Sequence, residues 1–236
     1  MAGTLRADLR SAKFAPAKLS DIAFVAGRKR GGADAPWPRA LLRPTQQVHH
    51  TSDRLPARAE MRHQLPGGVP LLIREAAPED AAALLDYLEA VSAESEFLTF
   101  APGEFALGVA AEAELLRQYA EAENQLYLLG LVEDAVAAVA ILSASTRARI
   151  RHSAELAMSV RRQYWGQGIG SLMLDTLIGW ARATCIITKI NLRVRADNER
   201  AIRLYQRKGF TLEGTLRKQM RVHERYFDNH CLGLEL

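Results

Sequence analysis

The feature that most constrains this chain is the run AELAMSVRRQYWGQGIG at residues 154–170, where strand-like sequence enters Gly166, Gly168 and Gly170 and continues as an apolar helix. The first N–H groups of a helix lack internal partners, and together with the helix dipole they attract anions wherever no side chain blocks the backbone. Glycine removes that block at a cost in backbone entropy that a turn without a ligand has no need to meet. A phosphate cradle and a plain tight turn are the two readings. The dinucleotide pattern G-x-G-x-x-G fails because its third glycine would fall on Ser171, and the next expected strand, Lys189 to Arg195, ends on arginine rather than on an acid for a ribose. No G-x-x-x-x-G-K-[ST] run marks a nucleoside triphosphate site.

The elements around this turn alternate. Leu71 to Arg74 suits a buried strand, and Pro78, Glu79 and Asp80 suit the first turn of a helix whose apolar stripe is Ala81, Leu84, Leu85, Leu88 and Val91. A second helix is expected over residues 109–122, with Leu115, Leu116 and Tyr119 on its apolar side. A hairpin is expected over 125–132 and 135–144, and a strand over 153–160. After the glycine turn the pattern predicts a helix to about Ala183, a strand over 189–195, a helix over 198–208 capped by Gly209, and closing strands near 211–216 and 227–236. The fold class is α/β (α+β): a mixed, mostly antiparallel twisted sheet flanked by helices, with a strand–helix–strand unit in its second half.

Residues 1–68 show no sustained period and read as a basic, proline-rich, poorly ordered extension; residues 69–236 read as the folded domain. Residues 1–60 hold 11 Lys+Arg against 5 Asp+Glu, and residues 61–236 hold 20 against 22, so the overall charge of +4 belongs to the extension. A nucleic-acid role would therefore rest on that segment alone and is not expected of the domain. Met61 stands just ahead of the first convincing strand, which makes an upstream start site one origin for the extension. The others are a basic arm or a transit peptide, the latter opposed by Asp8, Asp21 and few serines.

At 48% hydrophobic and 25% charged residues the chain can bury a core, which argues against disorder throughout and against a simple coiled coil. The longest apolar stretches, 126–132 and 135–142, fall short of the roughly 18 residues of a spanning helix, so no membrane segment is expected. Cys185 and Cys231 cannot form a disulfide framework or a four-ligand zinc site, which points to a reducing, cytoplasmic compartment. His223-Glu224 followed by His230 lacks metalloprotease spacing, so no metal is expected.

The run from Val160 to Gly170, followed 28 residues after Gly170 by Asn198 in ADNERAIRLYQRKGF, resembles the GNAT superfamily of acetyl-CoA-dependent N-acetyltransferases over roughly residues 70–236. The resemblance implies that acetyl-CoA is the co-substrate, its pyrophosphate on the backbone of Gln167, Gly168, Ile169, Gly170 and Ser171. It also implies a pantetheine arm pairing with Met158, Ser159 and Val160, and a contact from Asn198. One departure is Trp165, which stands next to Gly166 where the family commonly has Arg or Gln. Small bacterial members share the E-x-x-x-S/C-V strand, here Glu155 to Val160, and the F-x-x-E-G-T turn, here Phe210 to Thr215.

Acetyl transfer requires an unprotonated amine, stabilisation of the carbonyl oxygen and a proton or hydrogen bond for the departing sulfur. Asn198 and Tyr205 lie seven residues apart on one helix, close to two turns, so both can face one crevice. The Tyr205 phenol suits the sulfur, and the resemblance implies the same role; its plainer reading is a half-buried core aromatic. Asn198 reads equally as a helix N-cap. Glu155, an acid flanked by Ala154, Leu156 and Ala157, is the candidate general base, with an arginine salt bridge as its alternative. Neither cysteine sits in a nucleophile's pattern, so direct transfer is expected.

The segment from Ala93 to Gly108, with Phe97, Phe100 and Phe105, lies where an acceptor wall is expected. It does not choose among an amino acid, a polyamine, an aminoglycoside or a protein N-terminus as the small-molecule or peptide amine. A homodimer through exposed strand edges is a further expectation. The alternatives to turnover are a coenzyme-A-binding protein without catalysis and a nucleic-acid-associated protein acting through the basic extension.

Overall fold

The computed structural model describes residues 60–104 and 107–236. The expectations for the basic extension and for Phe105 lie outside the described residues. Among the described residues eight strands form one sheet in the order β1-β2-β3-β4-β5-β6-β8-β7. They are β1 (Met61–Gln64), β2 (Pro70–Glu75), β3 (Leu126–Val132), β4 (Ala135–Ala144), β5 (Ser153–Val160), β6 (Lys189–Arg195), β7 (Thr211–Val222) and β8 (Arg225–Glu235). The helices are α1 (Ala81–Glu94), α2 (Val109–Glu121), α3 (Ile169–Ala183) and α4 (Glu199–Arg207). Strand β1 pairs antiparallel with β2, Met61 opposite Ile73, so the sheet extends upstream of residue 69, where the sequence pattern placed the domain boundary. A four-residue strand carries too few alternations to stand out from its neighbours.

The middle of the sheet is covered on both sides, which is why β3 is buried along its whole length. Alternate residues feed two cores. Tyr127, Leu129, Val139, Ile141 and Ala157 pack with α1 and α2, while Leu128, Ala140, Leu142 and Leu156 pack with α3. The entry to α1 is fixed by Arg74 and Asp80, whose guanidinium and carboxylate make two 2.7 Å hydrogen bonds while the carboxylate also accepts from the Ala77 N–H.

Every strand pair is antiparallel except β5 with β6, the two strands joined through α3. That parallel ladder has three rungs, from Ser153–Lys189 to Glu155–Asn191. Beyond it β5 keeps its ladder to β4, through Met158–Ala140 and Val160–Ala138, while its other edge has no strand beside it among the described residues. The opening beside Met158 to Val160 faces the start of α3.

Candidate active site

A cavity of about 620 Å³ fills the opening between β5 and β6. Met158, Ser159 and Val160 form one wall and Asn198 and Tyr205 another, with Trp165, Gly166 and the Gly168–Ser171 turn across the mouth. Sequence residues separated by nearly fifty positions are thus gathered by the parting of two strands.

The turn is shaped by its glycines in two different ways. Gly168 is the N-terminal cap of α3 at φ +90° and Gly166 stands at φ +81°, both in the left-handed region that favours glycine. A Cβ on either would meet nothing within 4 Å, so a ligand can approach the backbone there. Gly170 serves packing instead, because its Cβ would lie 3.2 Å from Leu204 Cδ2 and 3.5 Å from Met158 Cε. The N–H groups of Ser171 and Leu172 already donate to the Gly168 carbonyl at 2.9 and 3.1 Å. The backbone donors at the very start of α3 are therefore those of Ile169 and Gly170. Gln167 does not line the cavity; its side chain is exposed and donates to the Gln163 carbonyl at 3.1 Å.

Trp165 ties the loop back to the strand by donating its indole N–H to the Val160 carbonyl at 2.7 Å. Two guanidinium groups attend its ring, Arg200 at 4.7 Å and Arg162 at 5.7 Å. Arg200, from the first turn of α4, also lines the cavity and was not distinguishable in sequence from the other arginines of that helix. Of the arginines flanking β5, Arg161 pairs with Glu94 at 2.7 Å and Arg151 with Glu123 at 3.3 Å.

Helix α4 starts at Asn198, whose side-chain oxygen accepts the Ala201 N–H at 3.2 Å, so the capping reading holds while the residue also faces the cavity. Two turns on, Tyr205 is buried against Phe210, ring centroids 5.7 Å apart. Burial pushes its phenol up to about 12. That weakens it as an acid relative to the ordinary tyrosine considered from sequence and suits it to hydrogen bonding.

Glu155 stands elsewhere. It is the last residue of β5 paired with β6, and its side chain lines a second cavity of about 690 Å³ beneath α2, with Leu115, Gln118, Tyr119, Ser143 and Ile150 among its neighbours. Burial raises its carboxyl above the ordinary value, opposed by the charges of Arg193 and Lys189, the latter paired with Glu213 at 2.7 Å. Tyr205 and Glu155 thus line two different cavities that share no lining residue.

The segment after α1 reaches the first cavity through Arg195. Its guanidinium is 6% exposed, lies between the rings of Phe97 (4.3 Å) and Phe227 (4.0 Å), donates to the Glu96 carbonyl at 2.9 Å and grips Asp197 at 2.7 and 3.1 Å. Phe97 lines the first cavity, whereas Phe100 packs against the core under α1 and α2. In sequence Arg195 was visible only as the arginine ending a strand. Among the described residues no group of three His, Cys, Asp or Glu side chains is placed to hold a metal, and no helix is long and apolar enough to cross a membrane.

The sequence and fold match known proteins. The family model described as Acetyltransferase (GNAT) family matches residues 83–210. The structure resembles the acetyltransferase of GNAT family from Streptococcus pneumoniae, with 34% identity, a TM-score of 0.69, and 70% of this chain and 99% of that one covered. It shares its fold with a phosphinothricin acetyltransferase from Sinorhizobium meliloti solved in complex with acetyl-CoA, at 22% identity, a TM-score of 0.60, and 70% and 87% coverage. In sequence it is 26% identical over 106 residues to the L-amino acid N-acetyltransferase AaaT of Escherichia coli, a match that spans 45% of this chain and 65% of that relative. A family match over more than half its length, on a sheet opened beside a glycine turn, means that the chain belongs to the acetyltransferase (GNAT) family.

Proposed function

We propose that the chain moves an acetyl group from acetyl-CoA to a primary amine by direct attack, with the co-substrate in the cavity between β5 and β6. The observation that carries this reading is the three-rung β5–β6 ladder: it leaves one edge of β5 open beside a glycine turn whose backbone no Cβ shields. An extended amide-bearing arm can hydrogen-bond along that edge as a strand would. The pyrophosphate sits on the Ile169 and Gly170 N–H groups and the α3 dipole. Arg200, held on the Trp165 ring, supplies at the mouth a cation that the departure at Trp165 would otherwise remove.

Acetyl-CoA supplies an activated thioester; the protein's side chains manage the protons. Glu155, at the point where the strands part, accepts one proton from the acceptor ammonium arriving through the second cavity and releases it to solvent. The amine nitrogen then bonds to the acetyl carbon, the carbon–sulfur bond breaks, and a second proton passes from nitrogen to sulfur. Tyr205 donates a hydrogen bond to the sulfur, a role its raised pKa favours over full proton transfer.

Calorimetric titration of acetyl-CoA into the full chain, with NADH and ATP as controls, tests the cradle: heat with acetyl-CoA alone is expected. Tyr205→Phe should lower kcat about 10- to 100-fold, the scale of one hydrogen bond to a developing charge, with acetyl-CoA affinity within about twofold. An unchanged kcat would remove Tyr205 from the chemistry, and absence of acetyl-CoA binding by folded protein would remove the reading itself.

A further inference from the structure

The second cavity distinguishes among acceptors. Its apolar walls are Leu107, Ala111 and Leu115 on the helix side, Ala144 on the sheet and Ile150 in the turn between β4 and β5, a sleeve for an apolar body. Polar groups on the wall are uncharged amides and hydroxyls, or are already engaged. Tyr119 and Ser143 share a hydrogen bond between their hydroxyls, and Gln125 donates to the Ala144 carbonyl at 3.3 Å.

The charges are arranged in one sense. Glu114, the other acid on the lining, is held by Arg117 at 2.6 Å and by Gln118 at 3.0 Å. Glu155 is therefore the acid that can meet an incoming ammonium. Among the described residues no lysine or arginine lines this cavity. Of the basic residues around it, Arg117 is engaged with Glu114 and Glu121, Arg151 with Glu123 and Lys189 with Glu213, while Arg147 and Arg149 are exposed in the turn between β4 and β5 and do not line it. Arg193 lines the first cavity, on the co-substrate's side. An acceptor carrying a carboxylate next to its amine would bring a second negative charge close to Glu155, in a partly desolvated space with no cation on the wall to pair it.

We infer that the acceptor is a primary amine with an apolar, uncharged body and no carboxylate, its body in the sleeve under α2 and its ammonium at Glu155. This rests on the acetyl-transfer reading above, and it departs from the amino-acid acceptors named for the Escherichia coli relative.

The test uses three matched pairs with the full chain and saturating acetyl-CoA, scored by thiol release: tryptamine against L-tryptophan, phenethylamine against L-phenylalanine, and isoamylamine against L-leucine. In each pair kcat/KM should favour the decarboxylated amine at least a hundredfold. Filling the sleeve by Leu115→Trp or, independently, Ala111→Phe should raise the KM for the best amine at least tenfold with acetyl-CoA affinity unchanged. An amino acid that matches or outpaces its amine overturns the inference, as does an amine KM unmoved in a folded sleeve variant. Acetyl-CoA binding without thiol release from any of the six compounds overturns the acceptor class and leaves the co-substrate reading standing; absence of acetyl-CoA binding overturns both.

Discussion

Glu112 offers a test of how the helices sit on the sheet. It lies in the first turn of α2, is fully buried, and neither carboxyl oxygen has a hydrogen-bond partner; the Tyr127 hydroxyl is also unpartnered. The titratable groups that feel its charge are the phenols of Tyr119 and Tyr127, neither of which ionises near neutral pH. Burial raises the carboxyl from 4.5 to about 7. The unfolded chain ionises near 4.5, whereas the folded chain holds its proton to about 7, so this group favours folding fully below 4.5 and loses that advantage as pH rises through 7. At about 1.4 kcal/mol per pH decade the loss reaches about 3 kcal/mol. Glu112→Met, which removes the ionisable group and keeps the volume, should therefore gain about 3 kcal/mol on the parent between pH 4.5 and pH 8. For a domain of this size that is about 6–12 °C in Tm. Urea denaturation of both proteins at half-unit pH intervals reads the difference directly. Parallel stability curves from pH 4.5 to 8 would refute the reasoning, since they would mean that Glu112 is hydrated or paired.

Two further substitutions test the site's scaffold. Arg195→Lys keeps the charge but loses the stacking between Phe97 and Phe227 and the fork onto Asp197, so it should cost about 2–3 kcal/mol in urea denaturation and speed hydrogen exchange at residues 95–98. Gly170→Ala places a methyl against Leu204 and Met158 and should cost about 1–3 kcal/mol; a Tm equal to the parent's would mean that α3 has room to shift.

Periodicity and glycine spacing made the order of elements legible, because long helices and the β3–β4 hairpin repeat their signal many times. Both turns of the Asn198–Tyr205 helix could be read because the two residues share one local element. Glu155 was legible as an acid in an apolar strand, but the cavity it faces depends on which side α2 covers, a choice made by tertiary packing. Arg195 illustrates the same limit: Phe97 and Phe227 come from distant elements, and no local spacing relates them to it. Glu112 did leave a trace, since it precedes Leu116 and Tyr119 by four and seven positions on the buried stripe of α2. An acid in the first turn of a helix reads more readily as a dipole partner than as a core residue.

The short β5–β6 ladder has a thermodynamic consequence. A sheet with a missing rung gains cohesion from whatever completes it, so folding and co-substrate occupancy become linked equilibria. If acetyl-CoA binds the folded chain alone, saturation at a hundred times Kd adds about 2.7 kcal/mol to its stability. The protein's resistance to unfolding would then follow the supply of acetyl-CoA around it, with the strand opening acting as a gauge of that supply.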